Sequence, residues 1–295
     1  MNRRKKKAPL TERRRTIPEK IFFAFGFTFL TIWSLIMIYI FVWAFASAFK
    51  SNLDYVREPL KFPELMNLHW ENFVIAYKKL TYNGVGFLGM LWNSIWRVIG
   101  STLISCFYIC LVGYTYAQYD FKWKQLCLNL IVFIMIIPIF GNLPASYKLI
   151  YDLGFNDSPL YLLMSITGFT SNILVTYGFY KGLSRSYMEA VFIDGGSDWD
   201  AFFYIGLPMG KSIFTAYFLL SFINGWNDYT TGMLYFDKMP DLALGMYYFQ
   251  QEIVYEANNP AYFAGALVVM LPVLITFILY SDKIMGKLYS GGLKG

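Results

Sequence analysis

The residues of this 295-residue chain that could carry out catalysis are few and scattered. His69 is the single histidine, and no second His, Cys or paired acid stands near it to complete a metal site or a catalytic set. The segment 206–212 has the composition of a phosphate-binding loop but is one residue short between its glycines. Cys106, Cys110 and Cys127 follow no metal-binding or disulfide spacing. The sequence therefore predicts no catalytic residue, no metal site and no nucleotide site in this chain.

The most informative polar residues lie in the segment 186–208, which reads SYMEAVFIDGGSDWDAFFYIGLP. Ser186 and Glu189 have the spacing of a capping box, in which each side chain satisfies a free backbone donor, so we expect a helix to begin there. Gly195 and Gly196 should end that helix, because glycine adopts the left-handed conformation at little steric cost.

A second helical turn is expected to begin at Ser197. Asp198 and Asp200 would then lie near its positive end, where carboxylates are favourable. Pro208 should break this second helix, since proline cannot donate the next backbone hydrogen bond. The segment 186–208 is therefore predicted to form a helix, a turn and a second helix.

The first of these helices is predicted to have one apolar face. Met188, Val191 and Phe192 recur at helical spacing, while Glu189 and Asp194 supply polar edges. Such a helix suits docking into a partner protein. The alternatives are a helix that lies at the lipid interface or one that packs on its own bundle.

The same segment resembles the coupling loop of the membrane-spanning subunits of ABC importers, which has a Glu-Ala-Ala start, an Asp-Gly pair and an Ile-x-Leu-Pro end. It departs from that pattern at Val191, which replaces the second Ala, and at Gly196. The resemblance implies that the loop sits in a cleft of a cytoplasmic ATPase, where Glu189 engages basic residues. The residues we assign to ATPase coupling are Ser186, Glu189, Ala190, Asp194, Gly195, Gly196, Ile205, Leu207 and Pro208.

Three further segments are similar to carbohydrate-uptake permeases, and specifically to the smaller permease of maltose-type importers. They are the run 226–229 (Trp-Asn-Asp-Tyr), the pair Asn93 and Ser94, and the glycine-rich tail 291–295. In that family the tail reaches between the ATPases, which implies a second ATPase contact here; a frayed terminus is the alternative. The tail residues are Gly291, Gly292, Leu293, Lys294 and Gly295.

The composition predicts an all-α integral membrane protein. Hydrophobic residues make up 57% of the chain and charged residues only 15%, whereas an ordinary soluble domain is roughly 45–50% apolar. A membrane span needs about 20 predominantly apolar residues. Six candidate spans meet or approach this requirement, at 21–48, 88–119, 123–138, 158–180, 212–236 and 261–285.

We expect one six-span permease domain at 21–290, with a basic tail at 1–20 before it and the tail 291–295 after it. Outer loops are expected at 50–87 and 142–157. The first span is too long and too apolar to be a cleaved signal peptide, so it should remain as a helix.

Lys and Arg residues indicate the orientation of these spans. With the N terminus inside, 17 of the 25 basic residues fall in cytoplasmic segments and seven fall in outer loops. This asymmetry follows the positive-inside rule. It places both termini and the coupling loop, between spans four and five, in the cytoplasm. The net charge of +6 is therefore explained by a basic cytoplasmic tail beside a membrane, without a nucleic-acid partner.

Arg97 and Asp228 are the two charges expected inside spans. Both would lie roughly 10–15 Å below the outer surface, by a rise of about 1.5 Å per residue, so they could form an ion pair. A contact with a sister subunit or a role in the translocation path are the alternatives. Asn93, Trp226 and Asn227 are grouped with them as candidate pathway or span-to-span residues.

The segment 247–262 is expected to be the last outer loop, and it is rich in Tyr, Gln and Asn. Aromatic faces stack on sugar C–H surfaces and amides match sugar hydroxyls, although these residues also suit membrane interfaces. By resemblance, this loop can enter the sugar cleft of a binding protein. The candidate contact residues are Tyr247, Tyr248, Gln250, Gln251, Tyr255 and Asn258.

These features together predict the permease subunit of an ATP-driven carbohydrate importer in the cytoplasmic membrane of a prokaryote. The resemblance implies four kinds of partner: a second permease, two ATPase copies, an extracellular solute-binding protein, and the transported sugar, which we expect to be an oligosaccharide. ATP and Mg would be bound by the ATPases and not by this chain. An importer of a non-sugar solute, an ion-driven secondary transporter and a structural scaffold are the rival functions.

Overall fold

The computed structural model describes residues 16–64, 66–137, 141–166, 170–256 and 258–291, without the side chains of 254–255 and 281–291. These ranges are largely helical. The α-helices are α1 (Ile17–Ser47), α2 (Asn52–Arg57), α3 (Glu71–Lys79), α4 (Phe87–Gln118), α5 (Lys124–Ile136), α6 (Leu143–Asp152), α7 (Ser171–Lys181), α8 (Ser186–Ile193), α9 (Asp198–Asp200), α10 (Leu207–Met209), α11 (Lys211–Trp226), α12 (Tyr229–Tyr235), α13 (Leu242–Glu256) and α14 (Asn259–Gly291). A 3-10 helix covers Pro159–Ser165, and a π-helical turn covers Ala201–Gly206.

Helix α4 is the central element of the bundle. It packs against α7, α11, α13 and the 3-10 helix. Its buried residues recur every three or four positions, as expected when one face of a helix turns towards a core. They are Met90, Ser94, Arg97, Val98, Thr102, Cys106, Ile109, Cys110, Gly113, Tyr114 and Ala117. Cys106 and Cys110 thus lie in the core as small apolar side chains.

Helix α1 has a different environment from α4. It begins with a capping box between Thr16 and Glu19, and it ends with the buried Ala46 and Ser47. Along most of its length the large apolar side chains are exposed, including Phe22 at 73%. An apolar helix with this exposure is suited to contact lipid.

Within the described residues, three helices are long and apolar enough to cross a membrane: α1, α4 and the part of α14 at Asn259–Tyr280. A fourth candidate is the bent pair Asp198–Met209 and Lys211–Trp226. The predicted span 123–138 corresponds to the shorter helix α5.

Two predicted spans are interrupted. The prediction of one continuous helix at 158–180 is wrong. Pro159–Ser165 is a 3-10 helix, and α7 begins after Thr170, whose backbone is extended. The segment 212–236 is likewise divided, because Asp228 caps a separate helix, α12. Its carboxylate accepts hydrogen bonds from the Thr231 N–H at 3.1 Å and from the Thr231 hydroxyl at 2.5 Å.

The predicted outer loops contain helices. The segment 50–87 includes α2 and α3, and 142–157 includes α6. The prediction of a loop at 247–262 is wrong, because α13 continues to Glu256. Asp241 caps the start of α13: its Oδ1 accepts the Leu244 N–H at 2.7 Å, which favours a helix in the residues that follow.

Arg97 forms its ion pair with Asp241, so the predicted pairing with Asp228 is wrong. Both residues are nearly fully buried, with 5% and 1% of their surfaces exposed. The Arg97 guanidinium also lies 4.6 Å from the centre of the Phe236 ring. Asp228 uses its carboxylate to cap α12 instead.

The neighbours of Arg97 on α4 hold the same segment. Asn93 Nδ2 donates to the Pro240 carbonyl at 2.9 Å, and Ser94 Oγ accepts the Leu242 N–H at 2.8 Å. One turn of α4 therefore fixes the start of α13 through an ion pair and two hydrogen bonds.

We expect Arg97→Met or Asp241→Asn to lower the free energy of unfolding by about 3–5 kcal/mol, because each leaves an unpaired buried charge. The double variant should recover most of this loss, since it removes both charges and keeps an oxygen that can cap α13. The measurement is thermal unfolding of the detergent-solubilised protein.

Asp228→Asn is the matched control for this cycle, and it should leave the free energy of unfolding nearly unchanged, because Asn caps a helix about as well as Asp does. Recovery of stability in Arg97→Met with Asp228→Asn, and none with Asp241→Asn, would contradict the observed pairing.

Candidate coupling segment

Helix α8 begins one residue before the position predicted from the capping box. Arg185 is the N-cap and already has a helical backbone conformation, so Ser186 is the first residue inside the helix. The Ser186 N–H donates to Ser184 Oγ at 3.3 Å, and the two hydroxyls lie 2.8 Å apart. The predicted capping box between Ser186 and Glu189 is therefore wrong, because the local Ser184 contact takes its place.

The end of α8 follows the prediction. Gly195 has a φ of +83°, which places it in the left-handed region. Its N–H donates to the Phe192 carbonyl at 3.1 Å, and the Gly196 N–H donates to the Val191 carbonyl at 2.8 Å. These two bonds form a Schellman motif, which satisfies carbonyls that the helix leaves free.

The second helix begins at Ser197 as predicted. Ser197 and Asp200 form a reciprocal capping box, with the Ser197 N–H donating to Asp200 Oδ2 at 2.8 Å. The helical path continues through the π-helical turn Ala201–Gly206, in which the Leu207 N–H donates to the Phe202 carbonyl five residues back.

The sharp break occurs two residues beyond the predicted one. The helical path bends by 71° between Asp198–Met209 and Lys211–Trp226, so the elbow is at Gly210 and not at Pro208. Pro208 is accommodated in α10, after the π-helical turn. A Cβ at Gly210 would lie 2.1 Å from the Tyr180 hydroxyl, which shows how closely the elbow approaches α7.

The apolar residues of α8 divide between two surfaces. Met188 and Val191 pack into a core cluster with Tyr114, Tyr180 and Phe202. The prediction of a single docking face through Met188, Val191 and Phe192 is thus wrong, because the bundle takes up part of it.

The outward surface of α8 is both apolar and acidic. Ile193 is 84% exposed, Tyr187 is 49% exposed and Phe192 is 42% exposed. Glu189 and Asp194 are exposed beside them. An exposed apolar patch with a polar rim is typical of a protein interface. We call these five residues the outward patch.

Three consecutive residues at the C-terminal end of α4 contact this region. Gln118 Nε2 donates to the Tyr180 carbonyl at 2.7 Å, and the Tyr119 hydroxyl donates to Asp198 Oδ1 at 2.7 Å. Asp120 accepts a hydrogen bond from Arg185 at 3.0 Å. Lys124 and Arg185 hold the pKa of the Asp120 carboxyl below its usual range, because both stabilise the carboxylate.

The candidate residues at the other end of the bundle border a cavity of about 450 Å³. Trp226, Asn227, Tyr247 and Gln250 line it, together with side chains from α1 and α14. Trp226 also donates to the Val269 carbonyl at 3.0 Å. This cavity brings together two groups of residues that were predicted separately.

The tyrosines near this cavity are stacked in pairs. The Tyr247 ring lies 4.7 Å from the Tyr229 ring, and the Tyr248 ring lies 4.6 Å from the Tyr82 ring. Gln251 is exposed on α13. This end of the bundle therefore presents aromatic and amide side chains on one helix.

The other candidates are placed less completely. Asn258 Oδ1 accepts the Ala261 N–H at 3.4 Å, near the start of α14. The Tyr255 side chain and residues Gly292, Leu293, Lys294 and Gly295 lie outside the described part of the chain, and Gly291 is the last residue of α14. The predicted tail contact stays a prediction.

Two groups of contact residues were missed by the reading of the sequence. Asp241 carries the helix-start signature of an acid before a helical run, which could have identified α13. Gln118, Tyr119 and Asp120 carry no local signature, because their partners are distant in the sequence.

The two departures from the coupling-loop pattern, Val191 and Gly196, are complementary in space. A Cβ at Gly196 would lie 2.6 Å from Val191 Cγ1. We expect Gly196→Ala to lower the free energy of local unfolding of α8 by about 1–3 kcal/mol, because the added methyl overpacks the site. In the double variant, Val191→Ala should relieve that effect. Hydrogen exchange of the backbone amides in 188–197 measures it.

Gly178→Ala is the control for this pair, because a Cβ there meets nothing within 4 Å. Equal exchange in Gly196→Ala and in the double variant would show that the two positions are independent.

The chain is 25% identical over 279 residues to the diacetylchitobiose uptake system permease protein NgcG of Streptomyces coelicolor, covering 92% of this chain and 89% of that protein. It is 29% identical over 220 residues to the maltose/maltodextrin transport system permease protein MalG of Vibrio vulnificus, covering 70% of this chain and 73% of MalG.

A solved structure shares the fold. A bacterial ABC transporter involved in the import of the acidic polysaccharide alginate matches with a TM-score of 0.72 and 19% identity, over 91% of this chain and 98% of the matched chain. A family model, the binding-protein-dependent transport system inner membrane component, matches residues 109–281, which include the whole of the coupling segment. The chain therefore belongs to the family of inner membrane components of binding-protein-dependent transport systems.

Proposed function

We propose that this chain is a permease subunit of an ATP-driven importer whose cargo is a carbohydrate, most simply an oligosaccharide. The observation that carries the proposal is the segment 186–208, in which a Schellman-capped helix presents the outward patch while its other face packs on the bundle. The similarity to NgcG and MalG, whose names specify sugar transport, supports the choice of cargo.

The membrane topology in this proposal has six spans with both termini and α8 in the cytoplasm. It is supported by the three long apolar helices, by the bent pair and by the excess of Lys and Arg in the predicted inner segments. Helices α5 and α7 contribute the third and fourth spans together with the residues that flank them.

The proposed inner partners are two copies of a cytoplasmic ATPase and a second permease. The ATPases bind ATP and Mg, and this chain supplies the outward patch to one of them. Ile193 and Phe192 fit an apolar groove, while the carboxylates of Glu189 and Asp194 complement basic residues around it. Closure of the ATPases would displace α8 and move the bundle between inward-open and outward-open states.

The proposed outer partner is a solute-binding protein. Tyr247, Tyr248, Gln250 and Gln251 of α13 provide the contact surface, since aromatic rings and amides suit sugar and its binding cleft. Lys79 of α3 pairs with Glu252 and Glu256, which anchors α13 from outside the bundle. In this arrangement the contact surface is a helix rather than a loop.

We expect Ile193→Asn to weaken binding of the ATPase subunit to the membrane complex by roughly tenfold or more, because it places a polar group at the centre of an apolar contact. Quantitative co-purification of the ATPase with the permease pair measures the change. Leu60→Asn is the control, since Leu60 is 67% exposed but lies in the predicted outer loop. Equal retention of the ATPase in both variants would exclude the outward patch as the docking surface.

The function itself is tested by ATP hydrolysis of the reconstituted complex. With its binding protein present, we expect one or more members of a panel of oligosaccharides to raise the hydrolysis rate, and Glu189→Gln to reduce that stimulation. Stimulation by a polyamine or a phosphate ester, and by no carbohydrate, would reassign the cargo. Uptake that persists without the ATPase would point to an ion-driven transporter.

A further inference from the structure

Three consecutive side chains at the C-terminal end of α4 contact three separate points around α8. Gln118 contacts the Tyr180 carbonyl at the end of α7, and Asp120 contacts Arg185, the N-cap of α8. Tyr119 contacts Asp198, the first residue of α9. We call Gln118, Tyr119 and Asp120 the inner clamp.

The points that the inner clamp holds are those that fix the position of α8. They lie before the helix, at its N-cap and after its closing turn. The contacts of Tyr119 and Asp120 are exposed, and that of Gln118 is partly buried. An exposed ion pair such as Asp120–Arg185 contributes only about 0–1 kcal/mol to stability. The geometry therefore favours a positioning role over a stabilising one.

The N-terminal part of α4 contacts a second element, the start of α13. Asn93, Ser94 and Arg97 fix the segment that begins α13. At a rise of about 1.5 Å per residue, roughly 30 Å of continuous helix separates Arg97 from Gln118. No proline interrupts α4, and it runs as one helix from Phe87 to Gln118 despite the adjacent Gly100 and Ser101.

We propose that the inner clamp makes α8 and α4 move as one body, so that α4 transmits a displacement of the coupling segment to the start of α13 at the outer end. This inference rests on the proposed coupling role of 186–208. It assigns Gln118, Tyr119 and Asp120 as positioning residues, which act through α4 and contact neither ATP nor the cargo.

The first test uses the complete importer in proteoliposomes with its ATPases and binding protein. The variant Tyr119→Phe with Asp120→Asn removes the hydroxyl that donates to Asp198 and the charge that pairs with Arg185, while it keeps both side-chain shapes. We expect the amount of solute transported per ATP to fall by about fivefold or more, the lower end of typical coupling between two sites. Assembly with the ATPase and the thermal unfolding temperature should stay unchanged.

Lys124→Gln is the matched control. Lys124 pairs with Asp120 at 3.0 Å, but this contact lies within the turn between α4 and α5 and does not reach the coupling segment. We expect transport per ATP to stay at the native value in this variant. An equal loss in Lys124→Gln and in the clamp variant, or no loss in the clamp variant, would overturn the proposal.

A second test requires no knowledge of the cargo. Spin labels at Trp199→Cys and Leu88→Cys, which are exposed positions, report the distance between the coupling segment and the outer end of α4. Cys106, Cys110 and Cys127 are replaced by Ala in this background. The probe is ATP with vanadate, which traps the closed ATPases of the complete complex.

If α8 and α4 move as one body, trapping leaves this distance unchanged in the native background and shifts or broadens it in the clamp variant. A native distance that shifts on trapping as much as the distance in the clamp variant would overturn the proposal. Absence of carbohydrate stimulation in the native complex would instead count against the proposed cargo, since the distance measurement does not depend on it.

Discussion

The buried charge of Arg97 is the constraint on which the half of the molecule around α13 depends. An arginine with only 5% of its surface exposed must be paired, since an unpaired buried charge costs several kcal/mol. Asp241 supplies the opposite charge and also caps α13, so neutralising Arg97 determines where α13 begins. The positions of the aromatic and amide side chains on α13 follow from that starting point. The need to pair Arg97 inside the bundle thus determines where the aromatic and amide side chains of α13 lie on its surface.

The half of the molecule around the coupling segment depends on close packing rather than charge. A Cβ at Gly113 would lie 2.2 Å from Thr176 Oγ1, and one at Gly206 would lie 2.9 Å from the Tyr114 ring. These glycines let α4 approach α7 and the π-helical turn more closely than larger residues would allow. The coupling segment is consequently seated on the bundle along one face, and the outward patch stays exposed.

Local features of the fold could be predicted from the sequence, whereas its long-range pairings could not. The glycine turn at Gly195 and the restart at Ser197 depend on neighbouring residues, so their signatures were sufficient. The choice between Asp228 and Asp241 as the partner of Arg97 depends on the tertiary path of the chain, and both acids were available. The helix at α13 was missed because its Tyr and Gln content suggested a loop, while the cap that begins it was overlooked.

The exposure of α1 has a consequence for biogenesis. Its backbone hydrogen bonds are satisfied within the helix, and its large apolar side chains face outwards along most of its length. Such a helix is stable in a bilayer before the others are present, as in two-stage assembly of membrane proteins. Helix α4 differs, because it carries Arg97 and needs Asp241 from much later in the chain. During synthesis, α1 can therefore be stable as soon as it is made. Helix α4 gains the partner of Arg97 only after Asp241 has been synthesised.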